Sequence, residues 1–326
     1  MLPWQAGARE LLESAVAGDR FPHALLLHGP AGVGKDQFAA ALAAALVCRG
    51  RGARLEACGR CAECALSQAG SHPDLHWLRR PEDRRSISVD QVREINERLA
   101  MTSMRRGWRV AIVTPAHAMT HNAQNALLKT LEEPAAGTLL VLVSSRPSSL
   151  LPTLRSRCQR IEIARPPAAL AQDWLAARLA TPPPARLLDL ARGAPLRALE
   201  LAPHFEDLDA GMSELLEACL AGQRDVTATA QEMMGEGLPV RLDWLENWLA
   251  DIARLRLLGC GTPVTLLGGA VLQSAAAEVN ITAVFALVDR LREVKRLLDG
   301  SAAAQLLVEA WLVGLAGAFR RIGVDG

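Results

Sequence analysis

The rhythm of hydrophobic and polar positions along this chain changes near residue 165. Before it, apolar runs of strand length alternate with stretches of helical period: Leu25-Leu-Leu-His-Gly29, Arg109-Val-Ala-Ile-Val-Thr114 and Thr138-Leu-Leu-Val-Leu-Val-Ser144. Uninterrupted apolar runs suit strands buried on both faces of a parallel sheet. Leu75 to Leu78 is a weaker strand candidate. Between the runs, Asp36 to Val47 is an alanine-rich helical stretch, and Ser86-Ile-Ser-Val-Asp90 leads into a helix with Val92, Ile95 and Leu99 on one face. The segment 122–133 forms another helix, with Leu127, Leu128 and Leu131 as its stripe and Pro134 as its stop. Strands alternating with helices predict an α/β sheet domain over 1–165.

Beyond Arg165-Pro-Pro167 only helical period remains. An amphipathic helix is expected over 168–180, carrying Leu170, Trp174, Leu175 and Leu179; Thr181-Pro-Pro-Pro184 ends it, and two short helical pieces follow. This predicts a small helical domain over 166–207. From 208 to 326 helical patterns are separated at Gly222, Gly235 to Pro239, Gly259 to Pro263 and Gly300, which predicts a helical bundle. The apolar segment Ala302 to Phe319 is interrupted by Gln305 and Glu309 and suits a buried core helix better than a membrane span.

Composition narrows the function classes. A net charge of +1 excludes a global charge excess of the nucleic-acid-binding kind, although Arg79, Arg80, Arg84, Arg85, Arg105 and Arg106 cluster locally. Met1-Leu-Pro-Trp4 shows no basic region followed by an apolar run, so a cytoplasmic protein is expected. In that setting seven cysteines point to metal ligands or buried thiols before disulfides.

Four of them have ligand spacing. Cys58, Cys61 and Cys64 form two overlapping Cys-x-x-Cys knuckles, and Cys48 comes ten positions earlier. Four soft thiolates with no open position suit a structural Zn²⁺ site in an insertion over 48–64, with Arg49, Arg51, Arg54 and Arg60 near in sequence to offset its charge. Cys158, Cys219 and Cys260 stand alone and read as buried thiols.

Gly29-Pro-Ala-Gly-Val-Gly-Lys35 is a phosphate-loop sequence between a strand and a helix. Gly29, Gly32 and Gly34 let backbone N–H groups turn toward phosphate oxygens, and Lys35 reaches the terminal phosphates. The next position ordinarily offers a hydroxyl to magnesium, and here it is Asp36. A carboxylate ~4 Å from a phosphate charge costs about 4 kcal/mol per pair at an effective dielectric near 20. Independently, the strand 109–114 ends Thr114-Pro115-Ala116, without the acid that holds magnesium and orients water. Hydrolysis by this chain is therefore not expected, while ATP and Mg²⁺ binding stays open.

Together with Asn125-Ala-Leu-Leu-Lys-Thr-Leu-Glu-Glu-Pro134, Leu154-Arg-Ser-Arg-Cys158, His72-Pro-Asp74 and Pro22-His-Ala-Leu25, these motifs resemble the bacterial DNA polymerase III clamp-loader subunits, the delta prime family in particular. The resemblance implies an AAA+ core, a lid and a collar in a hetero-oligomeric ring. The other members would be gamma/tau-like motor subunits and a delta subunit, with a sliding clamp and primed DNA as targets. It further implies that Arg157 acts on a neighbour's γ-phosphate, and that Arg197, in Gly193-Ala-Pro-Leu-Arg197, stands where such lids carry a nucleotide-sensing arginine. Two other readings compete: a self-sufficient P-loop ATPase, opposed by Thr114 and Pro115, and a zinc-stabilised nucleic-acid binder, opposed by the near-neutral charge and scarce aromatics.

Overall fold

The computed structural model describes all residues except 19, 53, 82, 106, 222, 236, 260–275, 277–278, 299–302 and 321–326, and the side chains of 185 and 320. Arg106, Cys260, the break at Gly222, most of the break at Gly259 to Pro263, and Gly300 thus lie outside the described residues. The chain divides into two compact units, Met1–Leu170 and Ala171–Gly326. The expected boundaries at 165/166 and 207/208 are finer than that division.

The first unit is built on five parallel strands: β1 (Ala24–His28), β2 (Leu75–Arg79), β3 (Arg109–Thr114), β4 (Thr138–Ser144) and β5 (Gln159–Glu162), in the order β2-β3-β4-β1-β5. All seven residues of β4 are buried, as the uninterrupted apolar run requires. The edge strand β5 was not expected, because only Ile161 of its four residues is buried and Gln-Arg-Ile-Glu carries no apolar run. The apolar runs alone would place the Ser-Arg-Cys motif after the last strand, β4; with β5 present, Arg157 comes before the last strand.

The helices of this unit are α1 (Ala6–Ala17), α2 (Lys35–Val47), α3 (Ala62–Gln68), α4 (Val89–Ala100), α5 (His121–Glu132) and the single turn α6 (Pro152–Arg155). Ser88 caps α4 in a capping box with Gln91, and the Thr120 hydroxyl accepts from Ala123 N at the start of α5. Val92, Ile95 and Leu99 of α4 pack with Leu127 and Leu131 of α5 against Ala111, Val113, Leu140 and Leu142 of the sheet.

The second unit contains no strand among its described residues. Its helices are α7 (Ala168–Ala176), which begins just before the boundary, α8 (Ala185–Leu190), α9 (Pro195–Leu201), α10 (Phe205–Leu220), α11 (Val226–Met233), α12 (Leu238–Leu258), α13 (Ile281–Leu298) and α14 (Ala304–Arg320). Two of these differ from expectation. α7 stops at 176, with Arg178 stacked over Trp174 at 4.0 Å, and α10 runs through the expected boundary at 207/208. Trp244 and Trp248 of α12 are fully buried; Trp244 Nε1 donates to Asp209 at 2.9 Å and Trp311 Nε1 to the Leu287 carbonyl at 3.0 Å. Paired N–H groups let Trp244 and Trp311 stay buried at little polar cost, whereas the buried Trp248 Nε1 has no hydrogen-bond partner among the described residues.

Asp243 and Glu246 of α12 hold four cations: Arg192, Arg197, Arg292 and Lys295. Burial alone would raise Glu246, but the Lys295 ammonium, then Arg292 and Arg192, override it and bring it from 4.5 down to about 2. A carboxylate depressed on folding stabilises above its unfolded value and loses that contribution as pH falls toward the folded one. The second unit should therefore weaken between about pH 4.5 and 2, and Lys295→Met should remove part of that acid sensitivity. Denaturant midpoints at pH 6 and pH 3, followed by tryptophan fluorescence, measure it.

Candidate functional site

In a parallel sheet the strand C-termini share one edge, where ligand crevices form. Here that edge carries the phosphate loop after β1, Thr114 at the end of β3 and Ser144 at the end of β4, the last in register with His28. Gly29 sits at φ +142°, and a Cβ there would lie 2.1 Å from the Ile163 carbonyl oxygen, so only glycine fits. Gly32 and Gly34 adopt φ of +75° and +87°, the left-handed region. The N-terminal segment fixes the loop from outside. Trp4 Nε1 donates to the Val33 carbonyl at 2.9 Å, and the buried Gln5 donates to the Gly34 carbonyl at 2.7 Å.

Lys35 is buried, and its ammonium donates back to the Pro30 carbonyl at 2.5 Å. Burial pushes its pKa down, opposed by the Asp36 carboxylate. Asp36 in turn accepts from the Thr114 hydroxyl at 2.6 Å. The glycine turns and Lys35 fit phosphate groups, whereas the pair that faces a metal in an active loop has been transposed. A carboxylate now comes from the helix and a hydroxyl from the strand, and the two bond each other. Two further polar groups at this edge carried no sequence signal: His117 Nδ1 lies 3.1 Å from the fully buried Ser144 hydroxyl, which also accepts from Arg146 N.

The four cysteines converge. Cys48 follows the last turn of α2, Cys61 precedes α3 and Cys64 lies within it, and all four Sγ atoms fall within 4.8 Å of one another. Neighbouring sulfurs stand 3.8 Å (Cys48 and Cys61), 3.9 Å (Cys58 and Cys64) and 3.5 Å (Cys61 and Cys64) apart. Tetrahedral zinc with Zn–S bonds near 2.3 Å requires sulfurs about 3.8 Å apart, so the donor set fits a closed site.

Between two of these ligands lies Glu63, whose carboxylate is buried. It accepts from Arg105 through two N–H groups, at 3.0 and 2.9 Å, and Arg49 Nε stands 3.1 Å away. His72 Nδ1 accepts from Asp74 N, so its proton sits on Nε2, 3.2 Å from Glu63. Asp74 accepts from Ser103 Oγ, Met104 N and Arg105 N. His72-Pro-Asp74 is therefore the splice between the cysteine knuckle, the start of β2 and the loop after α4. It also removes Arg105 from any free basic patch. Arg109 is buried, donating to the Leu99 and Ala136 carbonyls.

In the Ser-Arg-Cys motif each residue has a separate position. Ser156 Oγ donates to the Thr153 carbonyl at 3.0 Å, closing the α6 turn. Cys158 is buried in the core between α5 and the sheet, and burial pushes its thiol up to about 12. Arg157 between them faces out, with Nη1 on the Thr153 carbonyl at 3.0 Å and Nη2 2.7 Å from Glu132. Arg197, in the other unit, is bonded to Asp243.

A family model described as DNA polymerase III, delta subunit matches residues 4–167. Over 260 residues, 78% of each chain, the sequence is 39% identical to DNA polymerase III subunit delta' of Pseudomonas aeruginosa. The chain belongs to the DNA polymerase III delta prime family. It is 37% identical to the delta' subunit of Escherichia coli K12 over 254 residues, 76% of this chain and 75% of that one. Among solved structures, a gamma subunit-related protein of Thermotoga maritima matches 95% of this chain and 99% of its own, with a TM-score of 0.49 and 18% identity. Among the described residues no helix is long and apolar enough to cross a membrane.

Proposed function

We propose that this chain is the stationary AAA+ subunit of a bacterial DNA polymerase III clamp loader, which does not hydrolyse ATP itself and lends Arg157 to an adjacent motor subunit. The observation that carries this reading is the hydrogen bond between Asp36 and Thr114. It occupies the metal-facing corner of the phosphate loop, and no carboxylate stands at the end of β3. Family membership supports assembly with gamma/tau-like motor subunits and a delta subunit, acting on a sliding clamp and primed DNA in the cytoplasm.

In this reading the sheet domain presents Arg157 on a fixed turn, a lid follows at 166–207, and a collar over 208–326 joins the ring. Arg157 stabilises charge on the neighbour's γ-phosphate, a task that suits a permanently charged, forked donor. Cys48, Cys58, Cys61 and Cys64 hold a structural Zn²⁺, whose chemistry is to cross-link the insertion. Gly29, Gly32, Gly34 and Lys35 would hold phosphates of any nucleotide bound here. Arg197 is engaged by Asp243 and serves the packing of the helical unit rather than sensing nucleotide.

The isolated chain should show no magnesium-dependent ATP turnover. Asp36→Thr should tighten binding of a fluorescent ATP analogue at least about tenfold by removing a like charge, still without turnover. Hydrolysis by the isolated wild-type chain would overturn the reading.

A further inference from the structure

We propose that Glu132 is a positioning residue for Arg157, holding its guanidinium in the orientation in which the neighbouring subunit receives it; this rests on the trans role above. Arg157 is mounted on α5 at two points. Near the start of the helix, the buried Gln124 accepts from Leu151 N at 2.8 Å and so fixes the entry to α6. Eight residues further along, about 12 Å at the helical rise, Glu132 meets the guanidinium.

Between these points the backbone has little freedom. Leu154 is fully buried, Cys158 is buried, and the Thr153 carbonyl accepts from both Ser156 Oγ and Arg157 Nη1. One bond at Nη1 leaves the long Arg157 side chain free to swing about it, and the Glu132 carboxylate at Nη2 removes that freedom.

Exposed ion pairs add little to stability, so this contact is better explained by geometry than by folding. Arg157 and Glu132 are 37% and 51% exposed. A guanidinium has five N–H donors in a fixed fork. One is committed to Thr153 and one to Glu132, which leaves three for the oxygens of a phosphate. Nη1 is held by the Thr153 carbonyl and Nη2 by the Glu132 carboxylate, so each terminal nitrogen keeps one further N–H and Nε keeps its own. Pre-orientation matters because a small misplacement of a group that stabilises the transition state lowers turnover without weakening substrate binding.

The test uses the assembled ring, containing this chain with its motor and delta subunits, and measures ATP turnover stimulated by clamp and primed DNA. Glu132→Ala should lower kcat about tenfold, within the range such misplacements cost, with KM for ATP and ring assembly unchanged. Glu132→Gln keeps an acceptor oxygen and should recover most of the loss. In an Arg157→Ala background, Glu132→Ala should cost nothing further, because residues acting through one contact are not additive. Wild-type kcat in Glu132→Ala, a gain in kcat, or an equal fractional loss in both backgrounds would overturn the proposal while leaving the trans role of Arg157 standing. A silent Arg157→Ala would remove that role, and this proposal with it.

Discussion

Stripping the metal from the four-cysteine centre is expected to lower the melting temperature of the first unit by about 10 °C or more, the shift that roughly 3–4 kcal/mol produces in a unit of this size. The reason lies in what 48–64 can bury. Apart from the cysteines, Leu55 is its only large apolar side chain, and it is fully packed. Such a segment has no core of its own, and closing a four-thiolate site supplies folding energy directly, about 10–16 kcal/mol apparent in small zinc domains. The damage should spread, because Glu63 between Cys61 and Cys64 anchors Arg105, and Asp74 anchors the same loop. Amide hydrogen exchange should therefore rise in 48–68 and in 101–107 together. Metal analysis should give one zinc per chain, and Cys61→Ser should reproduce the chelator's effect. A metal-free chain with an unchanged melting curve would contradict the assignment.

Replacing Arg157 by alanine is expected to leave ring assembly intact and cut stimulated ATP turnover at least about tenfold. Arginines of this kind are worth about 10³–10⁵ in kcat at the site they serve, diluted here by sites that other subunits complete. Assembly should survive, since among the described residues the Arg157 side chain bonds the Thr153 carbonyl and Glu132 and is not part of the core. Arg157→Lys should recover little: an ammonium is a point charge without the planar fork and cannot hold both contacts while facing a phosphate. Size-exclusion profiles with steady-state turnover separate loss of assembly from loss of chemistry. An Arg157→Ala ring turning over at the wild-type rate would show that the arginine is a surface charge.

Much of the fold was legible because its core strands are written in uninterrupted apolar runs; β1, β3 and β4 lie where Leu25, Val110 and Leu139 begin such runs. β5 was not, since an edge strand needs only one buried side chain, and Ile161 among three polar residues gives no period. The four cysteines were legible from spacing alone, as knuckles fix sulfur positions locally. Glu63 was not, because its value depends on Arg105, forty-two positions away. The altered phosphate loop was readable residue by residue, yet the bond between Asp36 and Thr114 joins two elements that only the sheet brings together. Glu132 is hidden for the same reason: it is an exposed acid in the last turn of its helix, and it gains meaning only from the turn that carries Arg157.

The most direct measurement is a structure of the assembled ring with a non-hydrolysable ATP analogue. The Arg157 guanidinium is expected about 3 Å from a γ-phosphate oxygen of the nucleotide on the adjacent motor subunit, at hydrogen-bond distance. An Arg157 remote from every nucleotide, with another chain's arginine in that place, would contradict the trans role.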